Sequence, residues 1–508
     1  MSVFMTRGAW PPQFKFDPRP SPPHAGGREA GSAFFNVLDY GITPDTSDDS
    51  TSLMQAAIDA CAAAGGGTVV VPAGTYRVGT MWMRSHITLH LEAGAVLRGI
   101  RDLAAFPLWN TRWEGPAALP SHAGILSGEG LENVAITGRG KIDGNGSFWW
   151  DLNTRKQLAY FPSRLIRLVD CRNVLIEGIE INNSGAWAVV PVACENVTIS
   201  RITIINPPDS PNTDGIDVDS CRNVHISDCC IDVGDDAIAI KSGKEDDFRA
   251  TLRPSENIVI TNCTILRGHS AVAFGSETSG GIRNVVISNC VFSGTDRGIR
   301  FKTRRGRGGV VEDVRAFNII MDGVHCPIVV NLFYGCGAWD EPRTIDRFPY
   351  PVGASTPQVR RLYFSNISGR GAKSAAAFVL GLPEMPVSDL FFQDVSIALD
   401  PLNHLAESPA MAPHQIPFCR AGFVLQFASR VRLRDVQVCD QLGPAFCITD
   451  SQDVRISNVD LLAASESAIS AADPEPQTAP LPPNTPPALI GVNSEVVESI
   501  LRNTGLPQ

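Results

Sequence analysis

A single-stranded right-handed parallel β-helix of the all-β class, closed at its start by a short capping helix, is the fold this sequence predicts. Two observations predict it. A strand signature recurs along the chain, and tight hairpin signals between its copies are scarce. The signature is Asn-Val or a close relative, an Ile two residues on, then a second short apolar strand. It appears at Asn133-Val134-Ala135-Ile136, Asn173-Val174-Leu175-Ile176, Asn196-Val197-Thr198-Ile199 and Asn223-Val224-His225-Ile226. It continues at Asn257-Ile258-Val259-Ile260 and Asn284-Val285-Val286-Ile287, with weaker echoes at Asp313-Val314, Asp389-Leu390 and Asp453-Val454-Arg455-Ile456. From Asn173 to Asn284 the copies are spaced 23, 27, 34 and 27 residues apart. Each alternates apolar and polar positions with period two, as a strand with one buried face does. A unit this small cannot bury its apolar face alone, but stacked units share one continuous core. The Asn side chains are expected to form a hydrogen-bonded ladder from coil to coil. A β-sandwich would need hairpin turns such as Asn-Gly between its strands.

Before the array, Asp49-Ser50-Thr51-Ser52 can cap a helix over Leu53 to Ala64, which Gly65-Gly66-Gly67 ends. Such a helix would cover the first coil, whose unpaired edge otherwise invites aggregation. The strand Thr68-Val69-Val70-Val71 follows and stops at Pro72. The organisation expected is a flexible arm over 1–33, a β-helical domain over 34–470 and a Pro-rich tail over 471–508, within which Glu495 to Asn503 could dock back.

Of the 508 residues, 44% are hydrophobic and 19% charged, the balance of a folded globular protein. A net charge of −10 argues against a nucleic-acid binder, which carries a broad positive field. No stretch reaches the roughly 18 apolar residues that span a bilayer. Thirteen cysteines cannot all pair within one chain. Cys229, Cys263 and Cys290 each fall six residues after a repeat Asn, so successive coils would stack them inside as small apolar fillers. No C-x-x-C metal pattern appears. Unpaired thiols, and an N-terminus without the apolar core of a secretory signal, favour a cytoplasmic location; a secreted or periplasmic protein would have lost its leader. Oligomeric state is not readable.

Aligning consecutive coils locates the chemistry. Ile216/Val218, Ile238/Ile240, Val272/Phe274 and Ile299/Phe301 are apolar pairs at i and i+2, and so point inward. Asp217 and Asp219, Ala239 and Lys241, Ala273 and Gly275, and Arg300 and Lys302 then point outward. Two residues before each pair stand Asp214, Asp236, Ser270 and Arg297, and one place earlier Thr213, Asp235, His269 and Asp296. Asp214 and Asp236 are 22 residues, one coil, apart, which puts their backbones about 4.8 Å apart. One Asp-rich turn is most simply a turn that binds its own backbone amides. Asp214, Asp235, Asp236, His269, Arg300 and Lys302 in one register read instead as a site. Glycoside cleavage needs one carboxyl to protonate the leaving oxygen and another to activate water. Crowding of carboxylates keeps one of them protonated nearer neutral pH. Beside them, Arg297 to Arg307 carries six basic residues in an acidic protein. A solvated loop or nucleic-acid contact is the plainer alternative, but Arg forks match the carboxylate of an acidic sugar. Trp149, Trp150 and Trp187 could stack on sugar faces or pack in the core.

At these residues the chain resembles glycoside hydrolase family 28, the polygalacturonases, a family of pectin lyase-like solenoids. Asn212-Thr213-Asp214, Gly234-Asp235-Asp236, Gly268-His269-Ser270 and Arg300-Phe301-Lys302 look like its four signature motifs, in order and in spacing. Further likenesses are Phe35 to Gly41, Ile142 to Gly146 and Thr295 to Gly298, so the resemblance covers roughly residues 34 to 460. It implies an inverting hydrolase of α-1,4-galacturonosyl linkages in polygalacturonate or oligogalacturonides that needs no metal and no cofactor. Asp235 would be the general acid, Asp214 and Asp236 would activate water, and His269 would support the acid or place the substrate. Arg300 and Lys302 would bind the galacturonate carboxylate, with Asn212, Lys241 and Arg297 as further substrate contacts. Three departures stand out: Ser270 for the usual Gly, Phe301 for the usual Ile, and Trp187-Ala188-Val189-Val190-Pro191 where the family has aromatic-x-x-His-Pro. The stretch Gly275-Ser276-Glu277 to Gly281 and the Arg-rich loop resemble bacterial and plant exo-acting members. Hydrolysis of rhamnogalacturonan or xylogalacturonan, a calcium-dependent pectate lyase, and a glycan-binding β-helix without catalysis are the alternatives.

Overall fold

The computed structural model describes residues 33–109, 120–244, 252–462 and 489–490. The arm over 1–32 and the segment Glu495 to Asn503 lie outside them. The chain winds as a parallel β-helix whose coils contribute strands to a 21-stranded and a 13-stranded sheet. Only Leu108–Trp109 and Ser121–His122 form an antiparallel strand pair among the described residues. In the tail, Leu489–Ile490 adds a short parallel strand beside Phe446–Thr449.

The repeat reading holds in detail. Val134 and Ile136 stand level with Val174 and Ile176, and these with Val197 and Ile199. Val224 and Ile226, Ile258 and Ile260, and Val285 and Ile287 follow in the same register. All are buried, so the core is a column of aligned aliphatic side chains. At each Asn the backbone turns left-handed, with φ between 54° and 58° from Asn133 to Asn284. Asn tolerates that conformation better than most residues. Each Asn Nδ2 then donates to the Oδ1 of the Asn one coil earlier, at 2.9 Å from Asn173 to Asn133 and 3.1 Å from Asn284 to Asn257. Strain at one position thus becomes a bond between coils. Beyond Asn284 the ladder changes chemistry. The aligned left-handed positions are Asp313, Arg361, Asp389, Arg430 and Asp453. Arg361 grips Asp313 with two bonds of 2.8 and 2.9 Å, and Arg430 grips Asp389 at 2.6 and 2.7 Å.

The helix forms over Thr51–Ala63 and buries Met54, Ala57, Ile58 and Cys61 against the first coils. Ser50 holds the cap position without a side-chain bond; Asp49 Oδ1 instead accepts from the Thr51 amide at 2.8 Å. Gly66 after the helix has φ 109°, and a Cβ there would meet the His86 carbonyl oxygen at 2.5 Å. All thirteen cysteines are free thiols. Cys229, Cys263 and Cys290 are buried, as the repeat predicts, and Cys171, Cys194 and Cys221 form a second stack, linked by amide-to-sulfur bonds of 3.4 and 3.3 Å. No described helix is long and apolar enough to cross a membrane.

Candidate active site

Four neighbouring strands of the 13-stranded sheet carry the site: Ile216–Asp219, Asp236–Lys241, Ser270–Gly275 and Arg297–Lys302. Their pairing is the register expected from the sequence. Asp217 stands against Ala239, Ala239 against Ala273, and Ala273 against Arg300. On this face residues 66 positions apart in sequence, Asp236 at the start of one strand and Lys302 at the end of another two coils on, come into contact. Asp214, Asp235 and Asp236 converge until each offers an oxygen within 4.8 Å of the others.

The three carboxylates differ in surroundings. Asp236 is fully buried; its Oδ2 lies 2.5 Å from Lys302 Nζ and its Oδ1 3.6 Å from Arg300 Nη1. Burial alone would raise its pKa, but these two cations override it and hold the carboxyl well below its ordinary range. Asp214 is raised, first by burial and then by repulsion from Asp217 and Asp235, with Lys241 opposing. Asp235 is the more accessible; its Oδ1 takes a bond from the Asp236 amide at 2.9 Å and lies 3.1 Å from His269 Nδ1. That contact raises the His269 pKa, since the carboxylate favours imidazolium. The Asp214, Asp235 and Asp236 spacing would admit a divalent cation, but Lys302 and Arg300 already neutralise Asp236, and an acidic cluster of this kind does not by itself define a metal site.

Around this centre the remaining predicted contacts divide. Arg300 is 3% exposed; Nη1 meets Ser270 Oγ at 3.4 Å, and buried Nη2 lacks a hydrogen-bond partner. Ser270 thus adds a polar contact where Gly would offer none. Phe301 points inward and stacks on Phe274 at 4.3 Å, so that departure alters packing alone. Asn212 is exposed on the turn before Asp214 with φ 53°. Arg297 is engaged elsewhere: it donates to the Pro409 and Ser408 carbonyls at 3.1 and 3.2 Å and pairs with Asp296 at 3.3 Å. Lys241 is 4% exposed, with Nζ 3.2 Å from Asp217 and 3.4 Å from Glu277. Of the tryptophans, Trp149 is core, edge-on to Phe106, and Trp150 donates its indole N–H to the Ser184 carbonyl. The Trp187 ring has Arg164 at 4.7 Å and Lys241 at 4.2 Å from its centroid.

Of two further neighbours, Tyr334 carried no sequence signal, and Glu277 stood within the Gly275 to Gly281 resemblance without a role. Tyr334 places its ring 5.5 Å from both Arg300 and Lys302, from a connection outside the repeat. Glu277, after the strand that ends at Gly275, is held at about 2: burial pushes it up, but Lys241, Arg307 and Lys302 outweigh it.

A parallel β-helix bearing three convergent carboxylates, an imidazole and a cationic patch defines a class, the solenoid hydrolases of acidic glycans. The pattern of the glycosyl hydrolases family 28 matches residues 61–408, more than half of the chain. A probable polygalacturonase of Vitis vinifera is 34% identical over 373 residues, 72% of this chain and 74% of that protein. An exopolygalacturonase from Thermotoga maritima has a similar structure, with TM-score 0.67 and 28% identity, covering 85% of this chain and 92% of that one. A family 28 exopolygalacturonase of Yersinia enterocolitica shares the fold, with TM-score 0.72 at 21% identity over 84% of this chain and 78% of that one. This chain belongs to glycosyl hydrolases family 28 and is a glycoside hydrolase of the polygalacturonase type.

Proposed function

We propose that the enzyme cleaves α-1,4-galacturonosyl linkages of polygalacturonate or oligogalacturonides from a chain end, with inversion. Asp235 protonates the leaving oxygen, Asp214 and Asp236 deprotonate the attacking water, and His269 orients Asp235. Arg300 and Lys302 receive the galacturonate carboxylate, and Asn212 lies at the rim. The reading is carried by the contrast between Asp236, kept ionised by two cations, and the accessible Asp235, which those cations do not touch. One cluster thereby offers an ionised carboxylate beside a second carboxyl placed to meet the leaving oxygen.

Attack at a chain end is supported by walls at both ends of the cleft floor. On the N-terminal side, outward-facing Val169, Val190 and Val192 are buried with Trp109 and Trp187 packed on them, and Arg167 lies 4.6 Å from the Trp109 ring. On the C-terminal side the connection over 400–420 reaches back, its Met411 carbonyl accepting from Asn331 at 3.2 Å and its Phe418 ring 6.4 Å from Phe378. Four coils remain between, three spacings of about 4.8 Å or ~14 Å from first to last, which suits a chain end better than a polymer laid straight through. Among relatives, the Thermotoga protein is named an exopolygalacturonase, while an endo-polygalacturonase of Pectobacterium carotovorum is 31% identical over 57% of this chain. Digestion of polygalacturonate tests the reading: galacturonate monomer from the first minutes is expected, and an early spread of oligomers would refute end attack.

A second reading concerns stereochemistry alone. Oxygens within 4.8 Å are closer than the roughly 6.5–9.5 Å usual between the two carboxyls of inverting enzymes, which favours retention through an ester on Asp214 or Asp236. Inversion fits if those two share one water opposite Asp235, since no room between a single pair is then needed. Proton NMR of the first-formed anomer separates the two.

A further inference from the structure

Lys241 read from the sequence as a further substrate contact; its surroundings give it another task. The ammonium has three N–H groups, and three partners surround it: Asp217 Oδ1 at 3.2 Å, Glu277 Oε2 at 3.4 Å and the face of Trp187 at 4.2 Å from the centroid. The side chain is 5% exposed, so no donor is left to face a sugar. Asp217 is fully buried, and its carboxylate has the Lys241 ammonium as its main support. Removing one partner of a buried pair strands the other charge.

We propose that Lys241 is a positioning residue: clamped between Asp217 and Glu277 under the cleft floor, it keeps Asp214 available as a base and does not touch the substrate. The inference rests on the catalytic reading above, in which Asp214 must be ionised to take a proton from water. Asp214 is faced by Asp217 on the strand that follows it, by Asp235 and Asp236 at the start of the next coil's strand, and by Lys241 at that strand's end. Lys241 is the one cation in this set. Asp217 also feels Arg164 from the N-terminal side, Glu277 feels Arg307 and Lys302, and Lys302 feels Lys241. Without Lys241, three carboxylates would press on Asp214 with the cation of its own set removed, and its proton would be held to higher pH. Lys302 and Arg300 cannot take over the role, because both face Asp236.

The test is the pH dependence of kcat and KM on a short oligogalacturonide for the wild type, Lys241→Met, Asp217→Asn and the double variant, each checked for folding by circular dichroism. Lys241→Met is expected to lower kcat by on the order of 100-fold near neutrality, to leave KM within about threefold, and to move the acid limb of kcat up by a pH unit or more. Asp217→Asn should move that limb down, and the double variant should return it toward the wild type. A tenfold rise in KM with an unmoved limb would make Lys241 a substrate contact, and unchanged kcat and limb would make it structural filler; either overturns the proposal. If Lys241→Met does not fold, Asp217→Asn decides: an acid limb moved down with KM unchanged supports the proposal, and an unmoved limb or a tenfold rise in KM overturns it. Wild-type hydrolysis of polygalacturonate, and its loss in Asp235→Asn, separates failure of this inference from failure of the catalytic reading.

Discussion

Lys302 and Asp236 meet at 2.5 Å on the cleft floor although 66 residues separate them in sequence. The contact exists because three successive coils stack in one sheet: Asp236 opens its strand level with Ser270, Lys302 closes its own level with Gly275, and the long lysine side chain reaches back along the same face to the carboxylate. It also keeps Asp236 from acting as the acid, since two cations favour its ionised form.

The acid is therefore sought in Asp235. Asp235→Asn is expected to retain the wild-type circular dichroism spectrum and melting profile and to lose ~10²–10⁴-fold in turnover. Release of reducing ends at the wild-type rate would remove Asp235 from the mechanism.

Asp217 predicts how stability varies with pH. Burial raises its pKa to about 7, with Asp236 adding to the rise and Lys241 and Arg164 opposing it. A folded-state pKa above the unfolded value means that the folded state holds a proton the unfolded state has released. The associated stability is present below about pH 4 and is lost as pH rises toward 7. Asp217→Asn should thus gain in melting temperature relative to the wild type between pH 5 and pH 7.5, and a pH-independent difference would contradict the assignment. Glu277 has the opposite sign. Held at about 2, it contributes stability above its ordinary value near 4.5 that disappears as pH falls toward 2.

The asparagine ladder yields a mutational series. Asn223 donates to Asn196 and accepts from Asn257, both at 3.1 Å, with φ 58°. Asn223→Ala loses two bonds and puts Ala in a disfavoured conformation, a destabilisation of about 2–4 kcal/mol. Asn223→Gly relieves the backbone but not the bonds and should fall between the two. Thermal melting gives the order, and Gly melting at or below Ala would mean the left-handed turn costs nothing here.

Chelation separates hydrolysis from elimination. With Lys302 and Arg300 supplying the positive charge at Asp236, activity should persist in excess EDTA, with no unsaturated product absorbing in the ultraviolet. Loss of activity that calcium restores would point to a lyase.

How much of this was legible depends on the range of the interaction. The strand register, the asparagine ladder, the cysteine stack and the convergence of Asp214, Asp235, Asp236, His269, Arg300 and Lys302 all follow from a periodic pattern, because a repeat turns sequence spacing into distance. Tyr334 and the carbonyls of Ser408 and Pro409 come from long connections with no period, and Arg297 finds its partners 111 and 112 residues away. Lys241 and Arg297 were legible as cations on the correct row but not as cations already satisfied, since outward from the coil is not the same as open to solvent.

The change of rungs after Asn284 carries a consequence for how such a chain can vary. Identical amides stack on one another indefinitely, so the first half of the solenoid can gain or lose a single turn and its ladder still closes. From Asp313 to Asp453 the rungs alternate in sign, and excising any one interior turn would set like charges face to face. That half can lengthen or shorten without penalty only two turns at a time.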